Sequence, residues 1–140
     1  MKVTRKIELD YGHTLPNEKG FCSQIHGHRA TVLATVEGEI EETEGHPDQG
    51  MVLNFKELKA AMKEKVHDVI DHGFAVWKED KDDREFIEDR NEKVLVTTHP
   101  PTAEYLAKWS YEQIQPELPE EVELVKVVWK ETPNSEAIYQ

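Results

Sequence analysis

At 140 residues, 37% of them hydrophobic and 33% charged, the chain has the length of one ordinary domain with a modest core, and its formal net charge is −12. That balance excludes a nucleic-acid backbone as the main partner, since the one dense charge run, Lys78 to Lys93, is dominated by Asp and Glu. No apolar stretch approaches the ~18 residues of a bilayer span, Met1 to Asp10 lacks the apolar core of a signal peptide, and the single cysteine forms no internal disulfide, so a reducing, cytoplasmic setting is expected.

Val3, Arg5, Ile7 and Leu9 alternate with Thr4, Lys6, Glu8 and Asp10, which predicts a first strand. A loop rich in Pro, Asn and Gly, Pro16 to Gly20, separates it from a second strand over Arg29 to Gly38, with Val32, Ala34 and Val36 on one face. Asn54 opens a helix, with Glu57 as its reciprocal capping partner, and Phe55, Leu58, Met62, Val66 and Val69 form its apolar stripe. Gly73 marks its end. The acidic run that follows reads as a solvated face or loop.

Thr102, after Pro100-Pro101, caps a second helix with Leu106, Trp109 and Ile114 turned inward, and Pro116 ends it. Val122 to Glu131 is a long strand, Thr132 to Ser135 a turn, and Glu136 to Tyr139 a short final strand. The order β-β-α-α-β-β predicts a single α+β domain over residues 1–140, an antiparallel four-stranded sheet with two helices packed on one face. The uncovered face is a physical reason to expect assembly.

His26-Gly27-His28 stands at the entry to the second strand, where residues i and i+2 share a face. His13, at the end of the neighbouring strand, is placed to supply a third nitrogen. Three imidazoles leave a tetrahedral zinc ion one open position, the mark of a catalytic site. Cys22, four residues before His26, is either a small buried hydrophobe or, close to a cation, a thiolate.

Asp71-His72 closes the first helix, and the histidine either serves the helix dipole or acts as an acid/base. Glu104, in the first turn of the second helix, has a complete structural explanation in that same dipole. Glu131 is less easily dismissed, because a carboxylate at a strand end reads adjacent ring N–H donors through two oxygens. His46, His67 and His99 have no partner at ligand spacing, save a His67/Asp71 pair at i, i+4.

Together, Tyr11-Gly12-His13-Thr14-Leu15, Cys22-x3-His26-Gly27-His28, Gly50 to Phe55, Asp71-His72, Pro101-Thr102-Ala103-Glu104 and Lys130-Glu131-Thr132 resemble the 6-pyruvoyltetrahydropterin synthase superfamily, in order and across nearly the whole chain. The three residues between Cys22 and His26 look like the bacterial 6-carboxytetrahydropterin synthases of queuosine biosynthesis. The resemblance implies a tunnelling fold, a hexamer built as a dimer of trimers, and active sites at subunit boundaries. It implies a lyase acting on 7,8-dihydroneopterin triphosphate, with Zn2+ on His13, His26 and His28. Cys22, Asp71 and His72 would be the catalytic groups, and Glu131, Glu104 and Thr102 would bind the pterin. Sibling activities, giving the pyruvoyl product or cleaving the side chain in a folate route, stay open, as does a non-catalytic pterin-binding zinc protein. Asn54 replaces the family's usual Asp, and Ala75-Val76 follow Asp71-His72 in place of the usual Leu-Asn.

Overall fold

The computed structural model describes residues 1–140. Strands β1 (Lys2–His13) and β2 (His26–Glu37) pair antiparallel in unbroken register from Lys2↔Glu37 to His13↔His26. Strand alternation then sorts the side chains. Leu9, Tyr11, Ala30, Val32, Ala34 and Val36 are buried, while Lys2, Thr4, Lys6, Glu8 and Arg29 are exposed on the other face.

Helix α1 (Phe55–Met62) starts at Asn54, whose side chain accepts the Lys56 N–H at 3.0 Å. A π-helical turn over Lys63–His67 joins it to a last turn, α2 (Asp68–Ile70). Leu58, Met62, Val66 and Ile70 are fully buried, whereas Phe55 is 52% exposed and Val69 only partly covered, so the predicted stripe differs at both ends. The wide turn is the reason: each four-residue step overshoots a 3.6-residue turn by about 40°, and the π segment winds that excess back. Ile70, not Val69, therefore ends the stripe.

The sheet is larger than the four antiparallel strands expected. It has six strands in the order β4-β3-β1-β2-β5-β6 and is mixed. Strand β3 (Gly73–Trp77) lies parallel to the end of β1, and β4 (Val94–Thr97) parallel to β3. Helix α3 (Lys81–Glu88) connects them, burying Ile87 beneath an acidic surface. The run read as a solvated face or loop is thus the solvated face of a helix, the crossover of a βαβ unit. Parallel neighbours require such a crossover, and the charge of its outer surface hides the apolar side that docks it.

Helix α4 (Ala103–Ile114) begins at Thr102, whose hydroxyl accepts the Tyr105 N–H at 3.3 Å. It buries Leu106, Ala107, Ser110 and Ile114 against β5 (Glu123–Thr132) and β6 (Ser135–Tyr139), with Trp109 half-buried. Pro116 sits in the closing 3-10 turn, Gln115–Glu117. The last two strands form the expected antiparallel hairpin, with α1 and α4 on one face of the sheet. No helix is long and apolar enough to cross a membrane.

Candidate metal centre and active site

The β1–β2 register places His13 directly opposite His26, and Tyr11 opposite His28, all on the face that carries the core. Gly27, between the two β2 histidines, passes so close to β1 that an added Cβ would stand 3.1 Å from the Tyr11 carbonyl oxygen. One nitrogen from each of His13, His26 and His28 lies within 4.8 Å of the other two. The three sequence-predicted ligands are therefore brought together.

Backbone carbonyls fix two of the rings. His13 Nδ1 lies 2.8 Å from the Pro101 carbonyl oxygen and His26 Nδ1 lies 2.7 Å from that of Gln24, so both Nδ1 atoms carry the proton. The Nε2 lone pairs of His13 and His26 then face each other at 3.0 Å, while the buried His28 Nε2 has no hydrogen-bond partner. Lone pairs so directed repel unless a cation sits between them, and zinc–nitrogen bonds of about 2.0–2.1 Å set tetrahedral ligand atoms about 3.3 Å apart. The donor set fits a metal ion. Burial, above all, holds the His13 and His28 imidazoles below the ordinary histidine range, which favours the neutral form of those two rings.

Glu131 joins this cluster. It is the unpaired residue of a β-bulge, between the pairs Lys130↔Glu136 and Thr132↔Ser135, and a bulge re-aims a side chain. Its Oε1 accepts the Tyr11 hydroxyl at 3.2 Å and stands 3.7 Å from His13 Nε2 and 3.8 Å from His28 Nε2. Burial first, and the Glu131 charge second, push the Tyr11 phenol well up, so it remains a donor. Sequence reasoning passed over Tyr11 as a functional side chain. Its place in the β1 alternation, two residues before His13, was the available signal.

Asp71 and His72 form their own pair. Asp71 Oδ2 accepts His72 Nδ1 at 2.7 Å, Oδ1 accepts the Asp10 N–H at 2.9 Å, and His67 Nε2 lies 3.6 Å from Oδ2. Burial opposes the Asp71 charge, but the Asp10 N–H and the two imidazoles outweigh it and hold the carboxyl below the usual carboxylate range. The residue that turns the chain is His72, with φ of 59°, and not Gly73 as expected. Gly73 is needed for closeness: a Cβ there would lie 2.7 Å from the Lys93 carbonyl oxygen.

His72 is 80% exposed and helps line a cleft of about 550 Å³ with Asp10, Gly12, Gly27, Arg29 and Phe74. His26 and His28 also line it, so this one cleft reaches both His72 and two of the three clustered imidazoles. Within one chain, no hydrogen bond or ion pair links the Asp71-His72 pair to the three histidines.

Cys22 is exposed in a 3-10 turn, Phe21–Ser23, anchored where its carbonyl accepts the Leu15 N–H at 3.0 Å. Thr102 is half-buried beside Pro101, the residue that grips His13, and Glu104 is exposed in the first turn of α4 without a hydrogen bond.

A mixed sheet backed by helices on one face, bringing together three imidazoles that could hold a metal ion, defines an α+β protein with a candidate metal site. The family model described as 6-pyruvoyl tetrahydropterin synthase matches residues 2–140, and the chain belongs to that family. The 6-carboxy-5,6,7,8-tetrahydropterin synthase of Rickettsia bellii is 31% identical over 137 residues, covering 96% of each chain. The putative enzyme of the same name from Pyrococcus horikoshii is 32% identical, covering 96% of this chain and 89% of that one. The 6-pyruvoyl tetrahydropterin synthase structure from Caenorhabditis elegans superposes with a TM-score of 0.72 at 25% identity, over 100% of this chain and 94% of that one.

Proposed function

We propose that this protein converts 7,8-dihydroneopterin triphosphate to 6-carboxy-5,6,7,8-tetrahydropterin as a zinc-dependent lyase, releasing triphosphate and acetaldehyde and consuming one water. The observation that carries the reading is the convergence of His13 and His26 Nε2 at 3.0 Å, beside the unpartnered His28 Nε2, in a chain whose relatives bear that enzyme's name. The reaction is internally balanced: the first side-chain carbon stays on the ring, oxidised to the carboxylate, while the ring gains hydrogen and the other two carbons depart as acetaldehyde, the terminal one as its methyl group.

His13, His26 and His28 would hold the ion. Zinc there supplies a Lewis acid that acidifies the substrate's side-chain hydroxyls. Glu131 anchors the pterin ring, accepting ring N–H donors, with Thr102 and Glu104 at the neighbouring helix start. Cys22 moves protons along the side chain as a thiolate, and His72 is the partner acid/base, oriented through Nδ1 by Asp71.

The three-imidazole set, with no hydrogen bond or ion pair to the Asp71-His72 pair whose cleft it shares, is compatible with a site completed by a second subunit, in a hexamer of two stacked trimers. It also favours catalysis over a purely structural zinc, because a three-imidazole set leaves room for substrate. The test is product identity. Pure zinc-loaded protein given the triphosphate should yield the 6-carboxy product and acetaldehyde. A 6-pyruvoyl product without acetaldehyde would reassign it to the sibling reaction.

A further inference from the structure

We propose that Glu131 closes the fourth position of the metal centre when no substrate is bound, and that the Tyr11 hydroxyl is the positioning group that holds it there. This rests on the reading that the three imidazoles hold zinc. One nitrogen from each of His13, His26 and His28 converges on this face of the sheet, and Glu131 Oε1 stands beside two of them, those of His13 and His28.

The carboxylate is 3.7 and 3.8 Å from two of those nitrogens, beyond hydrogen-bond reach. His13 Nε2 has no proton to offer, since Nδ1 donates to Pro101. No hydrogen bond to the His13 ring holds Oε1 there; the Tyr11 hydroxyl is the donor that does. A tetrahedral ion separates its ligand atoms by about 3.3 Å, so Glu131 Oε1 completes the set by moving inward toward the three imidazoles. Glu131 has that freedom: it is the bulged residue of β5, its side chain 24% exposed.

Tyr11 limits that freedom to one direction. Its hydroxyl donates to Oε1 at 3.2 Å, and its ring packs edge-on against His13 and Trp129 at 5.1 and 5.3 Å. A carboxylate oxygen has two lone pairs, so one serves the phenol and the other is free for the metal. Glu131 then has two alternative partners, the ion and the pterin ring. Ring binding draws the carboxylate away and opens the vertex to the side-chain hydroxyls, so ring recognition and metal opening become one coupled step.

The experiment uses the substrate-free protein loaded with cobalt(II) in place of zinc, with zinc affinity measured separately by chelator competition. Glu131→Gln should weaken zinc about 10- to 100-fold, and Tyr11→Phe about 10-fold. Both should change the visible cobalt bands at equal occupancy. Adding 7,8-dihydroneopterin, which lacks the phosphates, should change the wild-type bands toward those of Glu131→Gln. Superimposable spectra and zinc affinities within twofold across the three proteins would overturn the proposal. The underlying metal assignment fails in a different way, by wild-type zinc affinity in His28→Ala. Tyr11→Phe leaves the carboxylate intact and carries the same test alone should Glu131→Gln not fold.

Discussion

Asp71→Asn isolates the carboxylate that ties the end of α2 to β1 and to His72. The wild-type side chain accepts the Asp10 N–H at 2.9 Å and the His72 Nδ1 proton at 2.7 Å. An amide of the same shape offers one acceptor and one donor, so one of the two contacts becomes donor against donor. A hydrogen bond to a charged group contributes ~1.5–3 kcal/mol, and the high exposure of His72 discounts its share, so the expected loss is about 1–2 kcal/mol. The sign with pH follows from the lowered Asp71 pKa. Its stabilisation is fully present above the unfolded value, about 3.9, and is lost as pH falls through the lower folded value. Urea unfolding of the metal-free proteins at pH 7 and at pH 3 measures this. Asn should lower the midpoint at pH 7 with an unchanged slope, and the gap should narrow at pH 3. Equal midpoints at pH 7, or a gap indifferent to pH, would refute the reasoning.

Four further outcomes are expected. His13→Ala, His26→Ala and His28→Ala should each lower bound metal sharply by elemental analysis, because two imidazoles leave the site incomplete. Bound metal should be lost as pH falls, because protons compete for the imidazole nitrogens, and burial makes His13 and His28 harder to protonate than an ordinary histidine. In the metal-free protein the same two groups cost stability from about pH 6.5 downward until the folded values are passed, as thermal melts against pH would register. Cys22→Ala and His72→Ala should each turn over about 10²–10⁴-fold more slowly, and mixing the two after subunit exchange should restore activity if the site spans a boundary.

The site was legible where local spacing sets it. His26 and His28 share a face because strands alternate, and His13 meets them because the β1–β2 register ends on His13↔His26. Asn54 and Thr102 cap their helices as their side chains dictate. What escaped depends on distant contacts or on backbone geometry. The pairing of β3 and β4 joins segments separated by an acidic helix, and Phe74 to Trp77 and Val94 to Val96 are too short to display a period. The π turn that selects Ile70 over Val69 and the left-handed His72 leave no trace in composition. The grip of Pro101 on His13 spans 88 residues and uses a carbonyl every residue possesses. The resemblance covered residues whose placement spacing alone left open, Glu131 among them, and the bulge explains how that side chain turns to His13 and His28.

The central claim is that the three-histidine metal drives side-chain cleavage of the pterin triphosphate. The most direct measurement is acetaldehyde released per subunit as zinc is returned to the metal-free protein in the presence of 7,8-dihydroneopterin triphosphate. Release should rise in proportion to zinc, level off at about one ion per subunit as a single open three-imidazole site requires, and stay near background in His28→Ala. Full release from metal-free protein, or none at full zinc occupancy, would contradict the account.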